Sequence, residues 1–174
     1  MGRVLIVNEK DEVIGAEDVK IAFENELIRR ISRILIFDNK GRVFLQKRSK
    51  GKIIAPDTWD QSVGGHVDEG ESYYTAAKRE LKEELGIEGI KLNKVSKFYF
   101  EEPYGKLTAK QFNTLYYAYY HGKITTNKEE LAGGEWIPLF KIEGLIKKQP
   151  SDFAPALKVC IEEYKKYRKY LSSK

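Results

Sequence analysis

Cysteine is nearly missing: Cys160 is the one thiol in 174 residues. A lone cysteine excludes an intramolecular disulfide and fits a reducing compartment. Among the apolar residues of an apparent helix it reads as packing rather than as a nucleophile. Long apolar runs are missing too, so nothing approaches a membrane span. The opening "MGRVLIVNEK" is too short for a signal peptide, and Ile6 stands where a myristoylation motif wants Ser or Thr. The expectation is a cytoplasmic protein with no membrane partner. Internal repeats, low-complexity tracts and interdomain linkers are also lacking, which predicts one domain over residues 1–174.

An excess of positive charge is present but unevenly placed. The formal net charge is +5, and residues 158–174 alone carry +4, which leaves the rest near neutral. This predicts a solvated basic face on a terminal helix and disfavours a nucleic-acid partner. A hydrophobic share of 41% against 33% charged fits a globular domain with a real core. Aromatics are tyrosine-rich, eleven against two tryptophans, and could serve a core or a ligand slot.

Local patterns predict a mixed α/β architecture. Residues 3–15 read as two strands around a polar turn, and "AEDVKIAFENELI" as a short helix. "RILIFDNKGRVFLQKR" reads as a hairpin, with Asp38-Asn39-Lys40-Gly41 as its turn. A loop, "SKGKIIAPDTW", precedes the strand-like "DQSVGGHV". Helical periodicity runs from Ser72 to Leu85, where Gly86 stops it. Strands follow at about 90–101, at "QFNTLYYAYYHGKI" and at "GEWIPL". An amphipathic helix over about 152–171 closes the chain, with Phe153, Ala156, Leu157, Cys160, Ile161, Tyr164 and Leu171 as its apolar stripe. Interleaved helices and strands with a hairpin predict a mixed sheet with helices on its faces.

The stretch "GGHVDEGESYYTAAKRELKEELGI" carries the chemistry. At about 100° per residue, Glu80, Glu83 and Glu84 project within an arc of about 100°. Close like charges need a positive partner. Lys78, Arg79 and Lys82 are nearby, but Arg79 and Lys82 are rotated away and only long side chains bending round would serve. A hard divalent cation does better, because magnesium takes oxygen ligands and shares them with phosphate. Gly64-Gly65 permits a sharp turn with free carbonyls, and Ser72 or Glu71 could cap the helix.

Gly65, Glu71 and Arg79-Glu80-Leu81-Lys82-Glu83-Glu84-Leu85-Gly86-Ile87 together resemble a complete Nudix box over residues 65–87, the signature of Nudix hydrolases. The resemblance implies an α/β/α sandwich with a mixed sheet and a loop–helix–loop that binds Mg²⁺ or Mn²⁺. It implies hydrolysis of a nucleoside diphosphate linked to another group, so the partner is a small-molecule diphosphate. Carried over by position, Glu80, Glu83 and Glu84 are metal ligands, with the Gly64 carbonyl as a further one. Glu80 is the first choice of base. Arg79, beside this chemistry, pairs with Glu71 to hold the loop.

Beyond the box, "VNEKDEVIGAEDVK", "LQKRS", "TWDQSVGGHV" and "GES" resemble the isopentenyl-diphosphate isomerase branch of the superfamily. The chain departs from the isomerases where they carry their chemistry. Gly64 replaces a catalytic cysteine, Arg29 a histidine, and Gln111-Phe112-Asn113 a Glu-x-Glu pair. His66 is the one retained member of the isomerase metal set. Lys47, Arg48 and His66 are the candidate substrate contacts. Pro103 and Tyr104 point to different substrates, while Trp59, Phe98, Tyr99 and Phe100 serve either stacking or the core. The reading is therefore a Mg²⁺-dependent hydrolase of a pyrophosphate linkage. The rivals are a prenyl-diphosphate isomerase and a diphosphate-binding module without turnover. Self-association as a homodimer stays open.

Overall fold

The computed structural model describes residues 2–52 and 54–174. Its central strand, β3 (Arg29–Phe37), is apolar at every position from Ile34 to Phe37 because both of its faces are covered. Ile34 and Ile36 pack with Leu81 and Leu85 of α2 (Tyr73–Leu85) on one side. Leu35 and Phe37 pack with Leu157, Ile161 and Tyr164 of α4 (Pro155–Ser172) on the other. Side chains alternate across a strand, so a continuous apolar run is the mark of a sheet buried on both faces. The architecture is the expected α/β/α sandwich with a mixed sheet.

One edge of β3 is occupied along its whole length by β8 (Leu107–Tyr119), which runs parallel to it and pairs antiparallel with β7 (Asn93–Tyr104). Three strands therefore share the other edge in succession. β1 (Arg3–Val7), paired with β2 (Val13–Asp18), meets it at Arg29. β6 (Val63–His66) meets it from Ile31 to Ile34, and β4 (Arg42–Arg48) meets it at Phe37. The expected hairpin thus exists at its turn, but its strands part at once. β4 instead pairs with β5 (Trp59–Asp60) and with β9 (Leu131–Pro138). The gap between β3 and β4 admits β6, and this places Gly64 and Gly65 opposite Arg33 and Ser32 of the central strand.

Several boundaries differ from expectation. The helix expected over 16–28 is α1 (Val19–Glu24), because Ala16–Asp18 pair with β1 and the Asp18 carboxylate then caps the amides of Lys20 and Ile21. A helix not foreseen, α3 (Leu139–Lys148), follows β9. The terminal helix starts at Pro155 rather than Asp152, since Pro150–Asp152 form a separate 3-10 turn and proline suits a first helical position. Leu171 leaves the predicted stripe: it is 45% exposed, and the buried face ends with Tyr164. On the basic face, Lys158, Lys165 and Lys166 pair with Glu162, Glu143 and Glu163.

Candidate active site

The helix α2 is built as the sequence suggests. The Ser72 side chain accepts from the Thr75 amide, and the Thr75 hydroxyl accepts from the Ser72 amide, so two otherwise orphaned donors are satisfied. Gly86, at φ 65°, ends it in the left-handed conformation. Ala77, Leu81 and Leu85 are buried against the sheet. That anchoring fixes where the intervening polar residues go.

Glu84 is drawn inward and is only 6% exposed, while Glu83 lies outside on the exposed surface. Glu80 lies between them, its carboxyl packed against the Cα of Gly65 so closely that a Cβ there would overlap it. A side chain at position 65 would push the Glu80 carboxyl aside, so glycine there keeps that carboxyl against the strand. Burial raises the carboxyl of Glu84 well above the ordinary glutamate value, and the neighbouring charge of Glu80 raises it further. Glu80 is also raised, first by burial, with Arg79 opposing and Glu83 and Asp68 adding to it. One Glu84 oxygen, Oε2, is buried without a hydrogen-bond partner among the described residues.

Arg79 does bend round to the acidic face, contrary to the expectation from its rotation about the helix. Its Nη1 donates to Glu80 Oε1 at 2.7 Å and to Glu83 Oε2 at 3.2 Å, and its Nη2 donates to the His66 carbonyl at 3.0 Å. Its Nε and Nη2 hold Glu71 as expected. Lys82 turns away to Glu88. The single arc of three carboxylates therefore resolves into an inner pair, Glu80 and Glu84, and an outer Glu83 tied to Arg79. Among the described residues, no three His, Cys, Asp or Glu side chains are gathered as a metal cluster. The inner pair nevertheless fits a hard cation, because it offers a buried carboxylate oxygen that no protein donor satisfies.

Across Gly64 and Gly65 lies a cleft of about 580 Å³, counting its open mouth. Arg29, Arg33, Arg48, His66, Asp60 and Glu102 line it. Arg48 pairs with Asp60 at 3.3 Å and also donates to the carbonyls of Ile54 and Ala55. Arg33 donates to three neutral amides: Asn113 Oδ1 at 2.7 Å, Gln61 Oε1 at 3.0 Å and Gln111 Oε1 at 3.3 Å. Burial holds the Glu102 carboxyl above its ordinary value, with Arg33 opposing. Burial and the charges of Arg29, Arg33 and Arg79 push the His66 imidazole down to about 3, so it stays neutral.

Of the candidate substrate contacts, Arg48 and His66 face this cleft and Lys47 does not. Alternation along β4 sends Lys47 to the opposite side, where it pairs with Asp57 at 3.4 Å and covers the Trp59 ring. Trp59 and Phe98 pack against the α4-side core. Sequence reasoning noticed Arg29, Gln111 and Asn113 only as missing isomerase residues, and passed over Arg33, Asp60, Gln61 and Glu102. An arginine at position 33, directly before the apolar run Ile34–Phe37 of the central strand, was the available signal for an interior polar site.

Residues 27–159 match the NUDIX domain, and the chain belongs to the NUDIX family. An isopentenyl-diphosphate delta-isomerase of Serratia proteamaculans is 30% identical over 151 residues, covering 86% of this chain and 84% of its own. An uncharacterized Nudix hydrolase of Streptomyces coelicolor is 33% identical over 140 residues, covering 80% and 76% respectively. In structure the chain is similar to a Deinococcus radiodurans protein of known crystal structure, with a TM-score of 0.77 and 26% identity over 92% of this chain and 97% of that one. The chain thus stands in the isopentenyl-diphosphate-isomerase-like branch of the family.

Proposed function

We propose that the protein is a Mg²⁺- or Mn²⁺-dependent hydrolase of a pyrophosphate linkage in a small organic or nucleoside diphosphate. The observation that carries this reading is the unpartnered Oε2 of Glu84, buried beside Glu80 under the Gly64–Gly65 strand. Two carboxyls held together at a cost in repulsion and burial are poised for a cation rather than for each other. Family membership supports the same class of reaction. An unpaired, buried cysteine agrees with a cytoplasmic enzyme.

Glu80 and Glu84 would hold the cation, with the Gly64 carbonyl beside them and Glu83 joining by release from Arg79. A bound divalent cation polarises phosphoryl oxygens and lowers the pKa of water. Glu80 would take the proton of the attacking water, one of its oxygens being steadied by Arg79. Arg48, in the cleft, would bind phosphate oxygens and orient the anhydride. Arg79 and Glu71 would keep the loop before α2 in place.

The isomerase alternative fares worse on the residues of the cleft. Isomerisation of an alkene needs a proton delivered to one carbon and another removed elsewhere. Gln111 and Asn113 accept from Arg33 and do not exchange protons at neutral pH. The experiment is a screen of diphosphate compounds with Mg²⁺, reading phosphate products. Turnover of at least one, lost on chelation, is expected; inertness toward all of them together with isomerisation of isopentenyl diphosphate would reverse the assignment.

A further inference from the structure

We propose that Arg29, with Arg33 and His66, forms a phosphate-binding subsite in the cleft, separate from the carboxylate face of α2. It goes beyond the hydrolase reading, because such a subsite can take phosphate whether or not the carboxylates cleave anything.

Charge balance in the cleft makes the argument. Arg48 has Asp60, and Arg33 has three amide acceptors with Glu102 nearby. The Arg29 side chain has no ion pair and no hydrogen bond among the described residues. It is only 3% exposed, its Nε is buried without a partner, and its guanidinium lies 5.2 Å from the Phe23 ring centroid. Stacking on a ring covers a guanidinium face and leaves its N–H groups in the plane unspent. Burial lowers its pKa to about 10, which still leaves it charged at neutral pH.

A second orphan stands close by. His66 Nε2 is also buried without a partner and also lines the cleft. Register explains the proximity: His66 lies opposite Ile31, and Arg29 and Arg33 are the next residues on the same face of β3. A buried cation costs several kcal/mol unless something offsets it. An oxyanion would satisfy Arg29, accept from His66 Nε2–H and draw on the charge of Arg33. Phosphate suits this set because guanidinium forks match its oxygens in pairs. Its source is either a phosphate carried by the substrate or free inorganic phosphate.

The test is calorimetric titration of the full chain, in chelator and at fixed ionic strength, with inorganic phosphate and separately with methyl phosphate. Binding of both is expected for a subsite serving a substrate phosphate, and binding of inorganic phosphate alone for one serving the free ion. Arg29→Gln should weaken binding by about tenfold or more, the scale of one charge-assisted contact. Its melting temperature without phosphate should stay level or rise, since an unbalanced buried charge is gone. If Arg29→Gln does not fold, Arg29→Lys and His66→Gln are titrated in the same way, with binding weakened in both, because an ammonium keeps the charge but not the paired donors. No binding of either probe to wild type would overturn the proposal. So would full binding by Arg29→Gln with a lowered melting temperature, which would make Arg29 a structural residue.

Discussion

Arg79 holds Glu71 through both carboxylate oxygens, Nε to Oε1 at 2.8 Å and Nη2 to Oε2 at 2.9 Å. The same guanidinium reaches Glu80, Glu83 and the His66 carbonyl, so one side chain ties the loop before α2 to the strand and to the acidic face. Planar forked donors allow this, and an ammonium group would not replace them.

Glu71→Gln should therefore destabilise the fold by about 2 kcal/mol, the range of a charge-assisted hydrogen bond. That corresponds to a fall of about 4–8 °C in melting temperature for a chain of this size. Arg79 lowers the Glu71 pKa below its ordinary 4.5. The bridge is consequently at full strength above pH 4.5 and is lost as pH falls through the lower folded value. Melts of wild type and Glu71→Gln should converge on acidification below that point.

Glu84→Gln should behave in the opposite way. Its carboxyl is raised in the fold, so the charged form opposes folding at neutral pH, and that penalty disappears as pH falls toward the ordinary value. Without metal, the variant should melt level with or above wild type near pH 7. A clear loss of stability would mean that the buried carboxylate is a structural group.

Magnesium or manganese should raise the melting temperature of wild type, by about 2.7 kcal/mol of stability at a hundredfold excess over the dissociation constant. Glu83→Gln and Glu84→Gln should lose most of that shift. Equal shifts in all three proteins would point to nonspecific ion effects.

The box was legible because its function sits in fixed spacings on one regular helix, and a helix converts spacing into direction. The fate of each carboxylate was not. Whether Glu84 points inward and Glu83 outward depends on how Leu81 and Leu85 dock, which is a tertiary matter. Arg79 illustrates the same limit, since a long side chain reaches groups its Cα faces away from. The cleft was hidden for another reason: Arg29 and Arg33 of β3, Arg48 of β4 and Gln61 of the link between β5 and β6 meet only because β3 leaves β4 after one residue pair. The hairpin motif between residues 33 and 48 suggested a continuous ladder instead.

Isopentenyl diphosphate should not be isomerised, and Gly64→Cys should not restore the reaction. A Cβ at position 64 would overlap the Gln61 side-chain amide, which is itself bonded to Arg33. Restoring a thiol therefore disturbs the polar network and leaves the amides Gln111 and Asn113 where the isomerases carry carboxylates. Formation of dimethylallyl diphosphate by either protein at an enzymatic rate would contradict this.

Cys160 should resist thiol reagents in the folded protein and react at once in denaturant. It is fully buried in the α4-side core, and burial pushes its thiol up to about 12. Rapid labelling under native conditions would show that α4 opens.

The most direct test of the hydrolase assignment is cleavage in ¹⁸O-labelled water, followed by ³¹P NMR of the products. With a diphosphate substrate and Mg²⁺, wild type should place label on a phosphate product, as attack of water on phosphorus requires. The Glu80→Gln, Glu84→Gln double variant should give no labelled phosphate. Label appearing in a non-phosphate product, or undiminished turnover by the double variant, would contradict a carboxylate-held metal acting on the anhydride.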